Sequence, residues 1–190
     1  VPSKGLVRPK LALTGDIHRY SIVDGPKAYI DYTIELEASK PWRFFGGPRI
    51  LLRQLLSRKF RLQASYEARP YLTNQSVQCL VARDADVSLK SVLGVLNSRL
   101  LSWFFCQTNL VSRRDDFPKT IIKVTRSLPM PPEWKNARDD RLERLVTRIL
   151  AAKASDPAAD TSALEREIDE IVYRLYGLTE EEIRIVEGGQ

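Results

Sequence analysis

The chain has 190 residues, 43% of them apolar, which suffices for one domain with a real core plus a small helical extension and excludes a disordered tail. Its formal charge of +6 is unevenly placed: residues 1–131 hold 21 Lys and Arg against 10 Asp and Glu, a net +11, and residues 132–190 hold 9 against 14, a net −5. The positive part favours a polyanionic partner, while the lack of a visible signal peptide or long apolar span gives no support to secretion or membrane insertion.

In chain order, two short β-type runs between Leu11 and Tyr32 flank Asp24-Gly25-Pro26, a turn-forming cluster, and read as a hairpin. Gly46-Gly47-Pro48 breaks the chain before Ile50–Leu56, an apolar run that suits a buried strand, with helix left open by periodicity. From Phe60 to Ser65 the residues alternate, Phe60, Leu62 and Ala64 on one side and Arg61, Gln63 and Ser65 on the other, as in a half-buried strand. Tyr71–Ala82 alternates enough to enter a sheet, and Asp84 and Asp86 mark the turn into the helix that follows.

The stretch Ser88–Gln107 then carries Leu89, Val92, Leu93, Leu96, Leu100, Trp103 and Phe104 at spacings of three and four, one face of a core helix with Ser88 as its N-cap. Residues 109–119 form a charged loop, and the β-branched run Thr120–Val124 reads as a strand before Leu128–Pro132 closes the segment. Beyond it, Leu142, Leu145, Val146, Ile149 and Leu150 form one apolar stripe. Leu164, Ile168, Ile171, Val172 and Leu175 form a second, past Pro157, so two antiparallel helices are expected. Ser162 and Glu165 have capping-box spacing, Gly177 is a stop, and Thr179 and Glu182 start a short third helix. The whole is an α+β fold, a small mostly antiparallel or mixed sheet on a core helix followed by a helical hairpin. The expected division is residues 1–132 and 133–190.

Catalytic chemistry fails by absence. His18 is the only histidine, so no multi-His metal site can form, and a surface or capping role suits it better than a triad. Gly46-Gly47-Pro48 lacks the spaced glycine and the Lys-Ser/Thr of a phosphate loop, and is a turn. The adjacent pairs Asp115-Asp116 and Asp139-Asp140 read as solvated acids. Cys79 and Cys106, on apolar faces and without CxxC spacing, read as buried free thiols of a reducing compartment.

Four polar clusters suit nucleic acid instead: Arg49 and Arg53 about the apolar strand, Arg58, Lys59 and Arg61 at its turn, Thr73, Asn74 and Gln75, and Arg113, Arg114, Lys119 and Lys123. Arg can hold guanine through two hydrogen bonds, Asn or Gln can hold adenine, and Lys or Arg can hold phosphate. Taken singly, each is better read as a solvated charge or as turn chemistry; taken together on the +11 part, they point to DNA.

Six words in order resemble a known family: TGDIHRY at Thr14–Tyr20, FGGPRILLRQ at Phe45–Gln54, YLTNQSVQCLV at Tyr71–Val81, SLKSVLGVLNSRLLSWFF at Ser88–Phe105, FPKTIIKVTRSLPMPP at Phe117–Pro132 and EREIDEIVYRLYGLTEEE at Glu165–Glu182. Together they resemble the TaqI-like C-terminal specificity domain, the target recognition domain of N6-adenine DNA methyltransferases and of fused type IIG restriction-modification enzymes, with type I specificity subunits as near relatives. The resemblance implies a module that grips duplex DNA largely through the major groove, in a prokaryotic cytoplasm, and selects the adenine to be methylated by a neighbouring domain that uses S-adenosylmethionine. That domain's Asn/Asp-Pro-Pro-Tyr/Phe motif and glycine-rich cofactor loop do not occur here. The catalytic half is therefore expected N-terminal to Val1, with no cofactor in this fragment, and Asn97 and Ser98 are expected to bond backbone near a neighbouring loop. The alternative is a protein-interaction module docking a partner through its C-terminal helices.

Overall fold

The five residues Arg49–Arg53 (β5) are the centre of the molecule, and their burial explains why the run reads as apolar on both sides. In this computed structural model, which describes residues 10–12, 16–23, 28–29, 40–84, 86–109, 119–131 and 140–188, β5 lies between Ala64–Glu67 (β6) and Val77–Leu80 (β8), antiparallel to both. Successive residues of a strand face opposite ways. Ile50 and Leu52 accordingly enter a large core with the helices, and Leu51 enters a smaller one with Ile17, Tyr71 and Val77.

The other strands are short. Lys10–Ala12 (β1) pairs antiparallel with Ala28–Tyr29 (β4) and parallel with Tyr71–Thr73 (β7). Ile17–His18 (β2) and Ser21–Ile22 (β3) form a nested hairpin whose turn is Arg19-Tyr20, with Tyr20 at φ 61°. The expected Asp24-Gly25-Pro26 turn lies outside the described residues. The glycine turn before β5 is present: Gly47 has φ 82°, and a Cβ on Gly46 would lie 2.7 Å from the Trp42 ring nitrogen.

Two expectations about the sheet change. Phe60–Ser65 is not half-exposed: Phe60, at φ 53°, is the exposed residue, while Arg61, Gln63 and Ser65 are buried along with Leu62 and Ala64. Thr120–Val124 is not a strand. Lys119 bridges Leu55 and the Thr120 N–H donates to the Gln54 carbonyl at 2.6 Å, but the chain then coils into Ile122–Arg126 (α3). Among the described residues these β-branched side chains have no further strand to pair with, and Ile121 and Ile122 stand half exposed.

The expected single core helix is two. Leu89–Asn97 (α1) and Arg99–Thr108 (α2) meet at Ser98, whose extended backbone, φ −64° and ψ 160°, ends the first and caps the second. Ser88 caps α1 by accepting the Ser91 N–H, and Ser98 caps α2 by accepting the Leu101 N–H. The break shifts the buried face: Leu100, Leu101 and Phe105 are inside, while Trp103 and Phe104 are only partly covered. It is held by a cross-link. The Ala64 N–H donates to Asn97 Oδ1 at 3.1 Å, and Asn97 Nδ2 donates to the Ala64 carbonyl at 2.9 Å. Asn97 and Ser98 thus bond backbone as expected, with β6 as the neighbour.

Asp140–Ser155 (α4) and Ser162–Leu175 (α5) form the C-terminal helical hairpin, followed by Glu180–Gly188 (α6). Their apolar stripes join the large core: Leu142, Val146, Ile149, Ile168, Ile171 and Val172 are almost fully buried with Leu93, Val95 and Leu96 of α1. The stripes offered to a partner by the alternative reading are therefore covered by the chain itself. Gly94 makes this contact possible, because a Cβ there would come within 2.9 Å of Leu142 and 3.0 Å of Val146. The cap of α5 is Thr161 rather than Ser162, with the Thr161 hydroxyl donating to Glu165 at 2.7 Å. Gly177, φ 67°, ends it, and its N–H bonds the Arg174 carbonyl while that of Leu178 bonds Tyr173. Thr179 and Glu182 form the expected reciprocal box. Among the described residues no helix is long and apolar enough to cross a membrane.

Candidate nucleic-acid interface

The register of β5 decides where the polar clusters meet. Arg53 lies opposite Val77, and Leu52 opposite Ala64, so the connection 54–63 and the turn 74–76 leave the sheet at the same end. The Gln54 N–H donates to the Ser76 carbonyl at 2.8 Å, and the bridge between Leu55 and Lys119 brings in a third segment. Arg58, Lys59, Asn74, Gln75 and Lys119 are all exposed there, with Arg53 half-buried beside them. Each of the four clusters read from the sequence thus contributes at least one residue to one surface.

The turn 74–76 is built by Asn74, whose Oδ1 accepts the Ser76 N–H at 2.9 Å and the Ser76 hydroxyl. This is an Asx turn, and it leaves the Asn74 amide NH2 pointing to neither group. Gln75 at the tip borders a groove of about 430 Å³ between β8 and α3, also lined by Lys40, Phe44, Gln78, Ile122, Thr125 and Arg126. Gln78 fixes the groove floor by donating to both Thr120 oxygens, at 2.9 and 3.2 Å. Lys123 and Arg126 are exposed on α3. Arg126 and Lys40 were not singled out in the sequence; the helical spacing of Ile122 and Arg126, four apart, is the signal that a strand assignment concealed.

Other expected contacts are turned inward. Arg49 is 0% exposed, its Nη1 donating to the Gly47 carbonyl at 2.8 Å and its Nη2 to Tyr71 at 3.1 Å. It ties the glycine turn to β7. Arg61 is 8% exposed and donates to Ser102 Oγ at 3.3 Å and to the Asn97 carbonyl at 2.9 Å, so it fastens the helix break. Burial, and then neighbouring Arg19, push its guanidinium down to about 10. Burial also lowers Arg49 and Arg53. Thr73 is buried, its hydroxyl 3.1 Å from Cys79 Sγ. Arg49 and Thr73 do not fit a surface contact with DNA, their polar groups serving the fold, and Arg61 gives its Nε and Nη2 to the helix break rather than to the sheet end. Arg113 and Arg114 lie outside the described residues.

Among the described residues neither cysteine is in a disulfide, and both are partly exposed rather than buried. His18 is half-buried in the β2–β3 pair, opposite Ser21. Among the described residues no three His, Cys, Asp or Glu side chains are grouped to hold a metal.

A protein of Methanocaldococcus jannaschii named "Putative type II restriction enzyme and methyltransferase" is 28% identical over 168 residues, which is 86% of this chain. The chain spans only 14% of that relative's length. The family model for the TaqI-like C-terminal specificity domain matches residues 10–130, from β1 through α3, more than half of the chain. By that match the chain belongs to the TaqI-like C-terminal specificity domain family.

Proposed function

We propose that the chain is the target recognition module of a site-specific N6-adenine DNA methyltransferase or type IIG restriction-modification enzyme. It binds duplex DNA and positions an adenine for a catalytic domain elsewhere in the parent protein. The observation that carries this reading is the convergence of Arg53, Arg58, Lys59, Asn74, Gln75 and Lys119 at one end of the β6-β5-β8 sheet. Exposed Lys and Arg serve phosphates, the Gln75 amide offers a donor and an acceptor that complement those of adenine in the major groove, and Asn74 adds the NH2 that its turn leaves over. Turn residues held by a rigid sheet suit this task, because their positions are fixed while their side chains stay free.

S-adenosylmethionine belongs to the catalytic domain in this reading, since neither the Asn/Asp-Pro-Pro-Tyr/Phe motif nor the glycine-rich loop that serves it occurs in this chain. The test is duplex affinity measured against salt. Affinity should fall on a log-log plot with a slope of about −0.9 per phosphate neutralised. Duplex binding that ignores salt, or a parent enzyme that methylates the same sites after losing this module, would remove the reading.

A further inference from the structure

A second concave surface, of about 620 Å³, opens where the β2–β3 turn, the 54–63 connection, the start of α2 and the α4–α5 loop meet. Six cationic side chains line it: Arg19, Lys59, Arg61, Arg99, Lys153 and Arg166. Three acids face them, Asp160, Glu165 and Asp169, leaving an excess of three positive charges.

The acids are already engaged. Glu165 pairs with Arg19 and accepts the Thr161 hydroxyl. Asp169 accepts the Arg99 N–H at 2.8 Å and lies 3.4 Å from Arg99 Nε. Asp160 accepts the Ser162 N–H. Among the described residues the Arg61 side chain donates to neutral acceptors only, Ser102 Oγ and the Asn97 carbonyl. Lys153 gives two hydrogen bonds, to the carbonyls of Pro157 and Ala159, and an ammonium has three donors. Two buried donors are unpartnered nearby, Arg19 Nε and the hydroxyl of Tyr20, which is 2% exposed and feels the charges of Arg19, Glu165, Asp169 and Arg61. Such a cluster is short of negative charge and of acceptor oxygens at once.

We propose that this cavity is a phosphate-binding site. A carboxylate would neutralise one charge from one direction, whereas a phosphate offers several oxygens to donors from separate segments, as the four converging elements require. Lys59, Lys153 and Arg166 close on the phosphate from the rim, and Arg61 and Arg99 form the floor. The site deepens the DNA reading and rests on it for one source of the phosphate: Lys59 belongs both to the cavity and to the DNA-facing sheet end, so a backbone phosphate of a seated duplex is within its reach. A free phosphate is the other source.

The experiment compares the 190-residue chain with its Lys153→Gln/Arg166→Gln form, neither residue being in an ion pair among the described residues, with Lys59→Gln as a second variant should the double one unfold. Duplex affinity is measured across salt by fluorescence anisotropy. In parallel, inorganic pyrophosphate at matched ionic strength is titrated while the side-chain N–H signals of Arg61 and Arg99 are followed by NMR. A duplex phosphate predicts that the log-log slope shrinks by about 0.9 in the variant, one phosphate's worth. A free phosphate predicts shifts of both arginine signals with pyrophosphate, lost in the variant, and supports the site even if the chain binds no duplex. A salt-dependent slope identical in both proteins, with arginine signals indifferent to pyrophosphate, overturns the site while leaving the DNA reading intact. No duplex binding and no pyrophosphate response by the wild-type chain overturns both.

Discussion

Asn97 and Asn74 carry the same amide in two opposite regions of the molecule. Asn97 sits at the seam between α1 and β6, 0% exposed, with both ends of its amide on the backbone of Ala64. Asn74 sits at the tip of the β7–β8 turn, exposed, with its oxygen committed to Ser76 and its NH2 left over. The arginines divide the same way: Arg49 and Arg61 are structural cross-links, and Arg58 at the sheet end is exposed, with no such cross-link among the described residues. A polar side chain inside this protein is part of the scaffold; the same chemistry at the sheet end is available to a ligand.

The largest test of that contrast is Asn97→Ala, which strands the buried Ala64 N–H and leaves the Ala64 carbonyl with the Tyr20 N–H alone. Urea denaturation should show a loss of about 3 kcal/mol, with Asn74→Ala losing far less. A seam variant as mild as the turn variant would erase the distinction. Next comes Gly94→Val, which forces Leu142 and Val146 away from α1; overpacking predicts a loss of about 2 kcal/mol in the same measurement. Thr179→Ala removes the cap of α6, at the rim of the scaffold, and should lower stability by about 1 kcal/mol, seen as faster amide exchange in that helix. Smallest on stability is Lys119→Gln with Lys123→Gln, within about 0.5 kcal/mol. Its effect belongs to binding, where the salt slope should shrink by up to about 1.8, two phosphates' worth.

What the sequence disclosed follows the same division. The tail was legible because its signals are local: the stripes of α4 and α5, the stop at Gly177 and the box of Thr179 and Glu182 depend on residues within a turn or two of one another. The burial of the Ile50–Leu52 run was legible as well, since three apolar residues in succession suit a strand covered on both faces. The end of α1 was not. Ser88–Gln107 keeps helical spacing throughout, and only Ala64, some thirty positions earlier, reveals what holds Asn97 at the end of α1. Likewise nothing near Arg61 marks it as inward-facing; its partners are Ser102 and Asn97, far along the chain. Of the candidate interface, the residue types were readable, but their assembly required the register of β5.

The pairing of Asn97 with Ala64 has a consequence for how the protein behaves in company. β6 is the outermost strand of its sheet, and the Ala64 N–H and C=O face away from β5. An uncovered border of that kind invites another molecule to add a strand and begin a chain of copies. By occupying that border with a side-chain amide, beside the Tyr20 N–H that also reaches the Ala64 carbonyl, the helix break acts as a guard against self-association, and the Asn97→Ala protein should clump on concentration even at temperatures where it remains folded.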